Sequence, residues 1–185
     1  MRKDRYGRPI IQGSVRPEVL KVELVSTPDD NAESVLSNKS SLKFEEQHPD
    51  TLVIQCSDGR YTEIVANLMV SAGIARYDVM AMPGGPALLD MASASILQSE
   101  ACKAGTGFLI KGHGIKRIWL LAHEGCGYYK YNLNGMPSDI IMDRQASDMQ
   151  RAANWLRTLD PTLTITAMYI AHQKEMASFK QIPLE

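Results

Sequence analysis

Apolar positions are scattered without period over residues 1 to about 42 and become strongly patterned from residue 50 onward. TLVIQC (51–56) is short, rich in β-branched residues and bounded by Pro49 and Gly59, the pattern of a buried strand. Ile64, Val65, Leu68, Met69 and Ala72 then recur at helical spacing until Gly73 ends the run. YDVMAM (77–82) predicts a second strand, closed by Pro83-Gly84-Gly85. From Leu88 to about Lys111 the pattern predicts one long helix, in which Gly105 and Gly107 mark weakness or close packing, with Gly114 at its C-cap. IKRIWLLA (115–122) predicts a third strand. A polar loop from Asn132 to Pro137 leads into a helix over about Ser138 to Leu159, and LTITAMYI (163–170) is the last clear strand.

Strands that are apolar throughout, alternating with helices, predict an α/β fold with a central, mostly parallel sheet flanked by helices. Residues 1–42, with Pro9, Pro17, Pro28 and the loop-like TPDDNAES, predict an N-terminal arm with a short helix near 31–38, ahead of a domain over 43–185. In a sheet of this kind the ligand site lies beyond the C-terminal ends of the strands, at a topological switch point.

Composition narrows the functional classes. The 185 residues are 44% hydrophobic and 22% charged, enough to bury one core, and the net charge of -1 with dispersed Lys and Arg argues against a nucleic-acid partner. No apolar run approaches the roughly 20 residues that a membrane span needs. Basic residues near the start have no apolar segment behind them, and three cysteines are too few for a disulfide framework, so a cytoplasmic protein is expected.

Two segments carry candidate chemistry: Cys56-Ser57-Asp58-Gly59-Arg60 after the first strand and His123-Glu124-Gly125-Cys126-Gly127 after the third. Two thiolates and an imidazole form a zinc set that leaves a fourth position open. Asp58 and Arg60, two apart at a strand end, are expected to face the same way, with the guanidinium keeping the carboxylate ionised and oriented. An ordinary loop-fixing ion pair is the alternative. Without that restraint Asp58 is near enough to Cys56 to close onto the metal. Cys102 and His113 read as structural, His48 and His172 have no metal-spaced partners, and Tyr128 and Tyr129 read as packing beside the motif. Gly84-Gly85-Pro86 has the form of an anion cradle on backbone N–H groups, while the Gly107 to Gly112 spacing lacks the lysine of a nucleotide-binding loop.

With C-x-D-x-R on the first strand and H-x-x-C later, the chain resembles the β-class carbonic anhydrases over roughly residues 44 to 170. FEEQHPDTLVIQCSDGR, Gly84-Gly85 and HGIKRIWLLAHEGCG carry the likeness. The resemblance implies Zn2+ on Cys56, His123 and Cys126, with Asp58 as a fourth ligand in a closed form only. It implies reversible hydration of carbon dioxide to bicarbonate by a metal-bound hydroxide, with Asp58 and Arg60 as the working dyad. Gln47 is placed where the family's glutamine reaches across a dimer interface to bicarbonate, which implies a homodimer or a dimer of dimers. The family's Arg-Asn-Ala segment is replaced here by Ala81-Met82-Pro83, which makes the pocket more apolar. Carbon disulfide or carbonyl sulfide is therefore an alternative substrate, and a non-catalytic zinc-binding relative is the other alternative.

Overall fold

The computed structural model describes residues 44–185; the expected arm and its short helix lie outside the described residues. Five strands form one sheet in the order β2-β1-β3-β4-β5. These are β1 (Thr51–Gln55), β2 (Asp78–Ala81), β3 (Arg117–His123), β4 (Thr164–Gln173) and β5 (Met176–Ile182). The first four are mutually parallel and β5 turns back antiparallel on β4. Helix α1 (Thr62–Ser71) joins β1 to β2, α2 (Ile96–His113) joins β2 to β3, and α3 (Gly127–Asn132) and α4 (Ser138–Leu159) lie between β3 and β4.

The alternation of side chains along the strands divides the core into two layers. Leu52, Ile54, Ile118, Leu120, Ala167 and Tyr169 pack on one face against Cys102 and Ile110 of α2 and Met149, Ala152, Ala153 and Leu156 of α4. Val53, Leu121 and Ile170 face the other way, onto Tyr61 and the α1 residues Val65, Leu68 and Met69. β1 and β3 are central and covered on both faces, which accounts for their unbroken apolar runs.

Two parts of the fold differ from the sequence expectation. The single helix expected over Leu88 to Lys111 is divided: a 3₁₀ turn spans Gly85–Leu89, and α2 starts afresh at Ile96. The restart is local chemistry, because Ser95 and Gln98 form a capping box that satisfies each other's backbone N–H groups. Gly114, in the left-handed region, ends α2 as expected. Gly105 lets the helix approach Met80, whereas a Cβ on Gly107 would meet nothing. The second difference is that the sheet does not end at Ile170: β4 continues to Gln173 and β5 adds an edge strand.

The break before α2 is held by a buried charge. Asp148 of α4 is fully buried and accepts from Ser93 Oγ at 2.7 Å, Tyr129 Oη at 2.7 Å and Arg144 Nε at 3.0 Å. Arg151 bridges the same carboxylate to Asp90. A buried carboxylate is tolerated when donors surround it in this way. The network ties α4, α3 and the segment between the 3₁₀ turn and α2 into one piece.

Candidate metal centre

The strand order reverses between β1 and β3, so a crevice opens at their C-terminal ends. Cys56 follows β1 immediately and His123 is the last residue of β3. The register pairs Ile54 with Leu120, which brings the two chain ends out side by side. Cys126 arrives three residues later at the start of α3, whose Tyr129 is fastened to Asp148. One ligand atom from each of Cys56, His123 and Cys126 lies within 4.8 Å of the others.

The donor geometry fits a tetrahedral metal. The two sulfurs are 3.8 Å apart. Two metal–sulfur bonds of about 2.3 Å at a tetrahedral angle give a separation of about 3.8 Å. His123 Nδ1 bonds the Glu124 carbonyl at 2.9 Å, and since a carbonyl only accepts, Nδ1 carries the proton. That leaves the lone pair on Nε2, which is buried without a hydrogen-bond partner. The same fixed tautomer is found in histidines that ligate metals.

The two thiols divide their proton unequally. Cys56 is pushed down, first by the hydrogen bond from Cys126 and then by the backbone N–H groups of Gly84 and Asp58, against the opposing effect of burial. Cys126 is pushed up by its bond to Cys56 and by burial. A cation between them would let both ionise. Of the glycine pair only Gly84 acts on Cys56; the Gly85 N–H donates to the Met82 carbonyl at 2.8 Å, so the two do not form the expected anion cradle.

Asp58 is not one of the three grouped ligands; its carboxylate is held by Arg60. Both of its oxygens accept from Arg60, at 2.9 and 3.2 Å from Nε and 2.5 Å from Nη2, and the Arg60 backbone N–H adds a bond at 3.2 Å. These bonds hold its carboxyl at about 2, so it is charged at neutral pH. Strand alternation is not what aligns the pair: Gly59–Tyr61 form a 3₁₀ turn with Asp58 as its N-cap, and the turn brings Arg60 back over the carboxylate. Gln47 is not brought to the group within one chain. It is exposed, precedes β1, and offers its carbonyl to Arg76 at 2.5 Å, whereas Cys56 follows the opposite end of that strand.

Residues outside the two motifs complete the site. Gln145 of α4, fully buried, donates to the His123 carbonyl at 3.0 Å. Tyr61 lies against the His123 ring with centroids 4.0 Å apart. Tyr128 covers Gly84 and bonds the Ser93 carbonyl. A pocket of about 670 Å³, which Tyr128 also lines with Ser93, Gln98, Tyr131 and Arg144, has none of the three ligands in its wall. The helical spacing of Gln145 and Asp148 among apolar α4 positions was a readable signal of buried polar groups; Tyr61 carried none.

Gly85 has φ +54°, and a Cβ there would lie 2.8 Å from the Cys56 nitrogen and the Gln55 carbonyl carbon. Gly85→Ala is expected to force this turn off the end of β1 and cost about 2 kcal/mol in denaturant unfolding. Gly107→Ala, free of contacts, should be neutral or slightly stabilising. Equal effects would show that the close approach at Gly85 carries no weight.

Comparison with known proteins gives a consistent picture. A protein-family model described as "Putative carbonic anhydrase" matches residues 46–180, well over half of the chain. No curated protein sequence matches. Among solved structures the chain is similar to the β-carbonic anhydrase CafA of Aspergillus fumigatus, at 13% identity and TM-score 0.51, covering 75% of this chain and 78% of that one. It is similar to β-carbonic anhydrase isoform I of Trichomonas vaginalis, at 13% identity and TM-score 0.51, covering 81% and 92%. A carbonic anhydrase from Streptococcus mutans matches at 12% identity and TM-score 0.51, covering 83% and 93%. At such identities the likeness establishes the fold.

Proposed function

The chain belongs to the "Putative carbonic anhydrase" family, and from that premise we propose that it is a zinc lyase hydrating carbon dioxide reversibly to bicarbonate. The observation that carries this reading is the three-residue donor set of Cys56, His123 and Cys126, with Asp58 held off it by Arg60. Three protein ligands and one open position are the arrangement of catalytic rather than structural zinc. Zinc, when bound, supplies the Lewis acidity that makes water a nucleophile near neutral pH. Asp58 would serve as the hydrogen-bond acceptor that orients the attacking water, and Arg60 holds that carboxylate ionised. Gln47 of the partner subunit in a homodimer binds the bicarbonate oxygens through its amide. The released proton passes to buffer, and a reducing cytoplasm would keep the three cysteines out of disulfides. No helix among the described residues is long and apolar enough to cross a membrane.

The test is stopped-flow hydration of carbon dioxide at mildly alkaline pH by zinc-loaded and chelator-stripped protein. Turnover well above buffer that vanishes on stripping is the expected result; no rate above buffer from zinc-loaded protein would refute the activity. One observation favours a second substrate. Met82 reaches into the apolar core while its backbone bonds both sides of Cys56, through Ser57 N–H and the Gln55 carbonyl, each at 3.1 Å. With Ala81-Met82-Pro83 this segment brings no charged or amide side chain to the turn beside Cys56, which suits carbonyl sulfide or carbon disulfide, and sulfide release would identify it.

A further inference from the structure

The hydrogen bonds behind His123 run in one direction to the protein surface. The Glu124 carbonyl accepts the His123 Nδ1–H at 2.9 Å and also the Tyr61 hydroxyl at 2.8 Å. Because Tyr61 spends its only proton there, the second partner of its oxygen, His172 Nε2, must be the donor. The chain therefore reads His172 Nε2–H to Tyr61 O–H to the Glu124 carbonyl, which the metal-facing histidine meets from the other side. His172 is exposed and Tyr61 is buried.

Glu124 is also restrained from β4, at its side chain and at its backbone N–H. The backbone N–H of His172 donates to the Glu124 carboxylate at 2.8 Å, and the backbone N–H of Glu124 donates to the Ile170 carbonyl at 2.8 Å. The carbonyl that orients the imidazole is thus fixed from β4, from the 3₁₀ turn after Cys56 and from its own side chain. The Tyr61 ring lies on the imidazole at 4.0 Å, and the Tyr61–His172 rings meet edge to face at 5.5 Å. Nothing else among the described residues bonds that carbonyl.

We propose that Tyr61 and His172 are positioning residues for the metal: they fix the Glu124 carbonyl, and through it the tautomer and orientation of His123, so that zinc affinity is set by a hydrogen-bond chain that begins at the surface. The proposal rests on the zinc reading given above. Removing an outer-shell partner of a metal-ligating histidine typically weakens metal binding by about 10-fold to 100-fold. A second acceptor bond at one carbonyl, reached through a side chain that is otherwise apolar, falls at the lower end of that range.

The test uses the full chain and zinc itself, with affinity read by competition against a chromophoric chelator. Tyr61→Phe keeps the ring and the burial and removes only the hydroxyl. Its zinc dissociation constant should rise about 10-fold. His172→Ala should weaken zinc less, and His172→Gln, whose amide can donate to the tyrosine, should restore most of the loss. Thermal melting of the stripped proteins is the second readout. A lower melting point for Tyr61→Phe with an unchanged zinc constant would reduce Tyr61 to a packing residue and overturn the proposal. So would His172→Gln and His172→Ala being alike. If the unaltered protein takes up no zinc, the metal reading itself fails; zinc bound equally by the unaltered protein and Tyr61→Phe refutes only the positioning role.

Discussion

Cys126→Ser protein should be purified with almost no zinc, where the unaltered protein should carry about one ion per chain. A serine hydroxyl stays protonated near neutral pH, so the substitution leaves one thiolate and one imidazole, too few to hold the ion against a chelator. Cys126 is 1% exposed and begins the helix tied through Tyr129 to Asp148, so no water-filled space lets another side chain take its place. Chelator should lower the melting temperature of the unaltered protein and leave that of the variant where it was, because only the former loses a ligand of the folded state. Cys102→Ser is the control, since Cys102 lies on the core face of α2 and is not one of the three grouped ligands. Full zinc content in Cys126→Ser, or equal loss in Cys102→Ser, would remove Cys126 from the metal site.

Arg60→Ala should lower the hydration rate by about 100-fold or more while leaving zinc content unchanged. The guanidinium supplies three of the four bonds that the Asp58 carboxylate receives, and only the backbone N–H of residue 60 remains after truncation. The freed carboxylate, two residues from Cys56, is then able to turn onto the metal and occupy the position that water needs. Arg60→Lys should recover little, because an ammonium cannot grip both oxygens in the same plane. The Arg60 side chain is 65% exposed, so its removal opens no cavity and a stability loss does not confuse the result. Activity in Arg60→Ala within about twofold of the unaltered protein would take the pair out of the mechanism, since orienting groups of this kind contribute far more than that.

The donor set was legible in the sequence because its residues stand at the ends of strands that announce themselves. TLVIQC and the RIWLLA part of the third strand are apolar on both faces, the pattern of inner strands of a parallel sheet, whose C-terminal ends lie on one side of the sheet. Less local features were hidden. The interruption between Leu89 and Ile96 lies inside an apolar stretch whose periodicity suggests a continuous helix, and only the Ser95–Gln98 capping box betrays it. β5 carries Ser178, Lys180 and Gln181 among its apolar residues, too weak an alternation to read as a strand until β4 offers it an edge. Asp58 and Arg60 were rightly paired, but by the curl of a 3₁₀ turn rather than by alternation along a strand. Tyr61 looks in sequence like the entrance to α1, and its contacts with His123, Glu124 and His172 depend on residues more than 60 positions away.

The lateral pairing of β1 with β3 bears on the order of events in folding. Cys56 and His123 are separated by the whole of α1, β2 and α2, and parallel pairing over such a distance is slow to form because a long loop must close before any contact compensates it. The ligands come together only when β1 and β3 pair, and metal uptake by the completed set would follow the crest of the folding barrier. Interactions made that late leave the rate of folding almost untouched and slow unfolding instead. An ion held by Cys56, His123 and Cys126 thus acts as a latch on the finished sheet, extending the lifetime of the native state without hastening its birth.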